Sequence, residues 1–165
     1  SGMNLIINDN HHQLIIKVAS IPAARIQIYF IDNDYYFARR AVLRDEEGKA
    51  LRRPGLLRGC KAIGWYIEEY GCAQVSMNIN DVQLCPIHTA YETVCDVAKQ
   101  YGVKVTGTEL IGLIPEECLL EAGRHFAKKQ GIDVHEQDKL MAVAIDTMRL
   151  DDLCPFDAEQ KVLVV

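Results

Sequence analysis

A chain of 165 residues, 49% hydrophobic and 25% charged, holds enough apolar material for one buried core and is expected to form a single soluble globular domain. A net charge of −5 excludes the basic balance of a general nucleic-acid binder; no apolar run is long enough to span a bilayer and no charged-then-apolar leader opens the chain, which together point to the cytoplasm. The six cysteines form no C-x-x-C pair, so neither a disulfide scaffold nor a zinc site is expected, Cys85 with His88 being the nearest approach to a ligand pair.

Ser1-Gly2 ahead of Met3 reads as a cloning remnant. Asn4 to Asn8 and Gln13 to Ala19 are two β-branched runs around Asp9-Asn10-His11-His12, the pattern of a β-hairpin with both histidines at a solvated turn. Arg25 to Ile31 alternates with Ile26, Ile28 and Phe30 on one face, Asp32-Asn33-Asp34 reads as a turn, and Tyr35 to Leu43 as a further strand. Asp45-Glu-Glu-Gly48 supplies the next turn. Eight basic side chains against three acidic ones between Arg39 and Lys61 make this stretch a local cationic segment within an acidic chain. Such a segment suits a small anionic ligand, or is simply a solvated charged hairpin.

From Pro54 the spacing of Leu56, Cys60, Ile63, Ile67 and Tyr70, closed by Gly71, predicts an amphipathic helix. The period then becomes two: Ala73, Val75, Met77 and Ile79 alternate with Gln74, Ser76, Asn78 and Asn80 in a half-buried strand. Its polar face carries only amides and a hydroxyl, groups that donate and accept alike. It suits a ligand or a protein surface matched by neutral hydrogen bonds, and equally an ordinary hydrated sheet face.

Ile87, Ala90, Tyr91, Val94, Val97, Ala98 and Tyr101 mark a helix ended by Gly102, with His88 off the stripe in its first turn, either a contact for an anionic substrate or a surface histidine. Val103 and Val105 open another strand whose phase breaks at Gly107, a mark of a bulge or of a close backbone approach, and Glu109 falls where the apolar side should continue. A carboxylate in that setting needs a partner. It would accept two parallel N–H bonds from a ligand, or form an ion pair with Lys104 or an arginine. Pro115-Glu-Glu starts a helix with Leu119, Leu120, Gly123, Phe126 and Ala127 inward and Gly131 at its end. A last helix from about His135 to Leu150 uses Leu140, Met141, Ala144, Ile145 and Met148, and Lys161 to Val165 is a possible edge strand. The succession predicts an α/β two-layer sandwich, with helices on one face of a mixed β-sheet and the other face polar and accessible.

Five motifs resemble, in order, the C-terminal subdomain of the glutamate formiminotransferases. They are Leu43-Arg-Asp-Glu-Glu-Gly-Lys with Pro54-Gly-Leu-Leu, Lys61-Ala-Ile-Gly-Trp-Tyr-Ile-Glu-Glu-Tyr with Ala73-Gln-Val-Ser-Met-Asn, Ile87-His-Thr-Ala-Tyr-Glu-Thr-Val-Cys, Val105-Thr-Gly-Thr-Glu-Leu-Ile-Gly-Leu-Ile-Pro, and Leu153-Cys-Pro-Phe-Asp. The likeness runs from about residue 39 to 162, so residues 39–165 read as the subdomain and 1–38 as an unmatched β-rich segment of one compact domain. It implies two similar α/β subdomains around a folate tunnel, and transfer of a formimino group between N-formimino-L-glutamate and tetrahydrofolate in histidine degradation. The family's catalytic histidine lies in an N-terminal subdomain that this chain does not match, so no histidine here receives that role. The expectation is a folate-binding half that needs a separately encoded N-terminal partner, contacts substrate through Glu109, Gln74, Ser76, Asn78 and His88, and forms a homo-oligomer. The alternative is a non-catalytic folate-binding or self-associating module.

Overall fold

The computed structural model describes residues 12–19, 33–35, 37–38, 41–42, 44–49, 52–67, 72–100, 102–152 and 154–164. Its first departure from the sequence reading is at residues 54–67, the end of the expected helix at Tyr70 and Gly71 lying outside the described residues. Pro54 ends a short strand, β5 (Arg52–Pro54), paired with β2 (Asn33–Tyr35), so Asn33 and Asp34 are strand residues and not a turn. The expected helix is instead β6 (Cys60–Ile67), paired antiparallel along its whole length with β7 (Cys72–Ile79), from Cys60↔Ile79 to Ile67↔Cys72. Steps of three and four are met by chance in a segment that also suits a pleated edge. Gly64 at its centre would cost a helix about 1 kcal/mol relative to alanine, while Ile63, Trp65, Tyr66 and Ile67 have the branched and aromatic side chains that strands favour.

β1 (His12–Ala19) enters the sheet between β7 and β8 (Val105–Ile111), antiparallel to both. The order is therefore β6-β7-β1-β8. The strand expected to precede β1 in a hairpin, and the run Arg25 to Ile31, lie outside the described residues. The expected strand from Tyr35 to Leu43 is represented by β3 (Phe37–Ala38) and β4 (Ala41–Val42), which pair with each other. The turn at Asp45 forms as read: Gly48 takes φ +81°, and Asp45 Oδ1 accepts from the amides of Glu47 and Lys49 at 3.1 and 2.8 Å. Among the described residues the four-stranded sheet is antiparallel throughout. Among those residues parallel pairing is confined to β9 (Ile114–Pro115) and β10 (Val162–Leu163).

The helices cover the face that carries Val75, Met77 and Ile79, all at most 1% exposed. α1 (Ile87–Gln100) buries Ile87, Ala90, Tyr91, Val94 and Ala98 of the stripe read from the sequence, with Val97 half-buried and Tyr101 outside the described residues, and Gly102 at φ +73° turns the chain out of it. Asp81 prepares its entry, its Oδ1 accepting from the amides of Gln83 and Leu84. α2 (Glu116–Gln130) has two acids in its first turn, favourable to the helix dipole, and ends at Gly131 in the left-handed conformation. α3 (Gln137–Met148) buries Leu140, Ala144 and Met148 and ends at Arg149, φ +57°. A single turn, α4 (Ala158–Lys161), capped by Asp157, leads into β10. One apolar layer of helix and one of sheet give the two-layer α/β sandwich. No helix among the described residues is long and apolar enough to cross a membrane.

α2 and α3 lie in close contact at Gly123, where an added Cβ would sit 2.1 Å from the Leu140 carbonyl oxygen. Backbone is in the way, and no side-chain rotation relieves the clash. Gly123→Ala is expected to destabilise the fold by about 1–3 kcal/mol, read as a lower urea midpoint at unchanged slope, whereas Gly48→Ala, with open space around it, should show only the smaller cost of its positive φ.

Candidate functional site

The candidate surface is the sheet face turned away from the helices, and a bulge creates it. Lys17 stands opposite Gly107 and Val18 opposite Val105, leaving Thr106 as the extra residue in β8. Strand residues alternate faces, so the extra residue reverses the phase beyond it. Val105 is buried before the bulge; Thr108 and Leu110 are buried after it; Glu109 is carried to the opposite face. The carboxylate that seemed to interrupt an apolar side in the sequence therefore does not lie on that side.

Register places the other groups. Ile63, Ser76, Ile15 and Glu109 stand opposite one another across the four strands; Trp65, Gln74, Lys17 and Gly107 form the adjacent row, and Lys61, Asn78, Gln13 and Ile111 the row on the other side. Directly opposed residues of antiparallel strands share a face. Gln74, Ser76, Asn78 and Glu109 are thereby brought onto one surface, with Ser76 and Glu109 two strand spacings, about 9.5 Å, apart.

The face is less open than its composition suggested. Gln74 is 8% and Ser76 5% exposed, while Asn78 and Glu109 are half-buried. The expectation of an accessible polar row took β7 as a strand with one wet side. β7 is an interior strand, flanked by β6 and β1, and its polar side is buried at Gln74 and Ser76. Glu109 makes no hydrogen bond or ion pair with any described residue, and neither Lys104 nor an arginine among them neutralises it. Its charge faces outward from a half-buried position, which spares it the full desolvation cost.

His88 does not join the others. It lies in the helical layer, 8% exposed, its ring stacked on His125 of α2 with centroids 4.3 Å apart and 24° between planes, and Phe126 is edge-on to both. Neither an outward contact for a substrate nor a surface histidine describes it. His88 Nδ1 has no hydrogen-bond partner among the described residues. Burial, reinforced by His125, holds His88 below the usual imidazole value, with Glu121 and Glu92 pulling the other way.

Sequence reasoning missed the cluster next to it. Glu92 Oε2 lies 2.9 Å from His125 Nε2, and its other oxygen accepts from Lys129. Burial pushes Glu92 upward, but the bonds from Lys129 and His125 outweigh it and leave the carboxyl below its usual range. Beside the pair an open cleft of about 280 Å³ runs between Tyr91, Glu92 and Cys95 on α1 and Phe126 and Lys129 on α2. The available signal was spacing: His88 with Glu92, and His125 with Lys129, are each four apart on helices whose apolar stripes face each other.

The acid response follows from these shifts. A histidine with a folded value below its ordinary 6.5 stays neutral in the fold while the unfolded chain takes up a proton, so its contribution is complete above 6.5 and is lost as pH falls from there. Glu92, lowered from 4.5, adds a second loss below that value. The urea midpoint is expected to fall between pH 7 and 5, and His88→Leu should flatten that slope; an unchanged slope would remove His88 as its source.

Known proteins resemble this sequence. Residues 30–164 match the family described as formiminotransferase domain. Formimidoyltransferase-cyclodeaminase of Gallus gallus is 34% identical over 118 residues, 72% of this chain and 22% of that protein, and the Rattus norvegicus protein matches to the same extent. Glutamate formimidoyltransferase of Streptococcus pyogenes serotype M1 is 38% identical over 78 residues, 47% of this chain and 26% of that protein. The chain thus spans about a quarter of the length of these relatives.

Proposed function

We propose that this chain, which belongs to the formiminotransferase domain family, supplies the folate-facing wall of a centre that transfers a formimino group between N-formimino-L-glutamate and tetrahydrofolate in histidine degradation. The observation that carries this reading is Glu109, swung by the bulge onto the face of Gln74, Ser76 and Asn78 and without a partner among the described residues. A carboxylate accepts two parallel N–H bonds, the pattern offered by the amino-pyrimidinone edge of a pterin. The half-buried amide of Asn78 can meet the neutral polar atoms of the same ring, and Gln74 and Ser76 hold the floor beneath it.

The reaction asks more than this face offers. An amine of the folate attacks the amidine carbon, the glutamate nitrogen departs, and a proton must leave one nitrogen and reach the other. Glu109 in its ionised form binds and orients but has no proton to give, and His88 is enclosed in the helical layer. The acid–base group is then left to an N-terminal subdomain, and residues 1–165 by themselves are expected to bind folate without turnover. A cytoplasmic, homo-oligomeric protein fits that reading. The burial of Gln74 and Ser76 favours a second one, a module that uses the face for association and leaves only Glu109 and Asn78 accessible to small molecules.

Titration of 5-formyltetrahydrofolate into the chain, followed by calorimetry, separates them. The folate reading expects saturable binding at micromolar ligand, weakened by about 1–3 kcal/mol in Glu109→Gln. Unchanged affinity in the variant would remove Glu109 from recognition, and absence of heat at millimolar ligand would leave the face to protein contact.

A further inference from the structure

The segment from β6 to α3 is continuous in the chain, and it builds a sheet with a gap. β6 and β7 form a hairpin, and α1 carries the chain to β8; yet β7 and β8 are not paired with each other. The space between them is one strand wide and is lined on both sides by backbone groups in antiparallel orientation to whatever fills it. β1 fills it, with all eight residues opposite β7 and Gln13 to Val18 opposite β8. β1 comes from forty residues upstream of β6, and from before the stretch 30–164 that matches the family.

We infer that the gap between β7 and β8 is a strand-acceptor site that takes β1 from a second copy of this chain as well as from its own, so that two copies exchange β1 and form a strand-swapped dimer. The pairing that holds β1 is made of backbone bonds in the register His12↔Ile79 through Ala19↔Cys72 and of the alternation of His-Gln-Leu-Ile-Ile-Lys-Val-Ala. Both are identical whichever copy donates the strand. The two arrangements therefore differ mainly in the entropy of the connection, which grows only slowly with its length. With the β2–β5 and β3–β4 pairs kept in place, residues 20–32 can still reach at most roughly 43 Å, whereas an eight-residue strand is about 27 Å long, so the connection can span to a neighbouring molecule. Exchange should set in where protein concentration approaches the effective concentration of a tethered strand, about the millimolar range, and is most easily trapped during refolding at high concentration.

The test uses full-length chains in a Cys154→Ser background, which removes the exposed thiol. Gln13 and Ile111 stand opposite each other on β1 and β8. Gln13→Cys is placed in one chain and Ile111→Cys in a second chain of different mass, and the two are refolded together and oxidised. Strand exchange yields a disulfide-linked heterodimer whose share rises with protein concentration during refolding and which neither variant yields alone. Both substitutions in one chain at low concentration should give a bridge within the chain, showing that β1 occupies the gap. An intrachain bridge at every concentration with no heterodimer from the mixture would overturn the inference, and so would the absence of either bridge.

Discussion

The fold and its candidate site depend on one piece of backbone pairing, the insertion of β1 between β7 and β8. Without it the β6–β7 hairpin and β8 are separate pieces, each with an uncompensated row of amides and carbonyls. A polar backbone group buried without a partner costs about 1–3 kcal/mol, so two such rows would outweigh the stability of a small domain. The same insertion sets the register that puts Ser76 and Glu109 in one cross-strand row. A slip by one residue would send every side chain of β1 to the other face. The bulge at Thr106 then decides which residues of β8 reach that row.

Where an element is local, the sequence carries it. α1 was legible because stripe and terminal glycine agree, α2 because stripe, first-turn acids and terminal glycine all agree, and β7 because its alternation is unbroken. The bulge was legible from Gly107, although its consequence for Glu109 was not: reversal of phase appears only once Lys17 and Val18 are set against Gly107 and Val105. β6 was misread because helical spacing is an incomplete test in a segment that also holds Gly64 and four branched or aromatic residues; a partner eight residues long decided between the two. The place of β1 had no local signal, since its neighbours lie sixty and ninety residues away. The burial of Gln74 and Ser76 likewise escaped a reading that took the strand alone.

The sheet divides the molecule's polar groups into two systems. On one face, Glu109 and Asn78 remain half-exposed above the buried Gln74 and Ser76. In the helical layer, His88, His125, Glu92 and Lys129 neutralise or exclude one another, the histidines by stacking and the carboxylate by two bonds. A charge satisfied within its own layer contributes to packing and acid sensitivity. A charge left without a partner is the one that a ligand or a second surface can reward, and among the residues singled out Glu109 fits that description.

The outer edge of β8 argues in the same direction. Arg149 Nη1 donates to the Val105 carbonyl at 3.1 Å, the Thr108 amide donates to the Arg149 carbonyl at 3.2 Å, and Lys161 Nζ donates to the Leu110 carbonyl at 2.6 Å. The left-handed turn at Arg149 lays its backbone along the strand, and two cations block the carbonyls on either side, a common way to keep an edge from pairing further. Growth of the sheet past β8 is thereby closed. The helical layer presents paired charges such as Arg124 with Glu117 and Lys139 with Glu136, which give little energy to a partner. Among the described residues, the face that bears Glu109 instead keeps a half-buried carboxylate that no such bridge occupies.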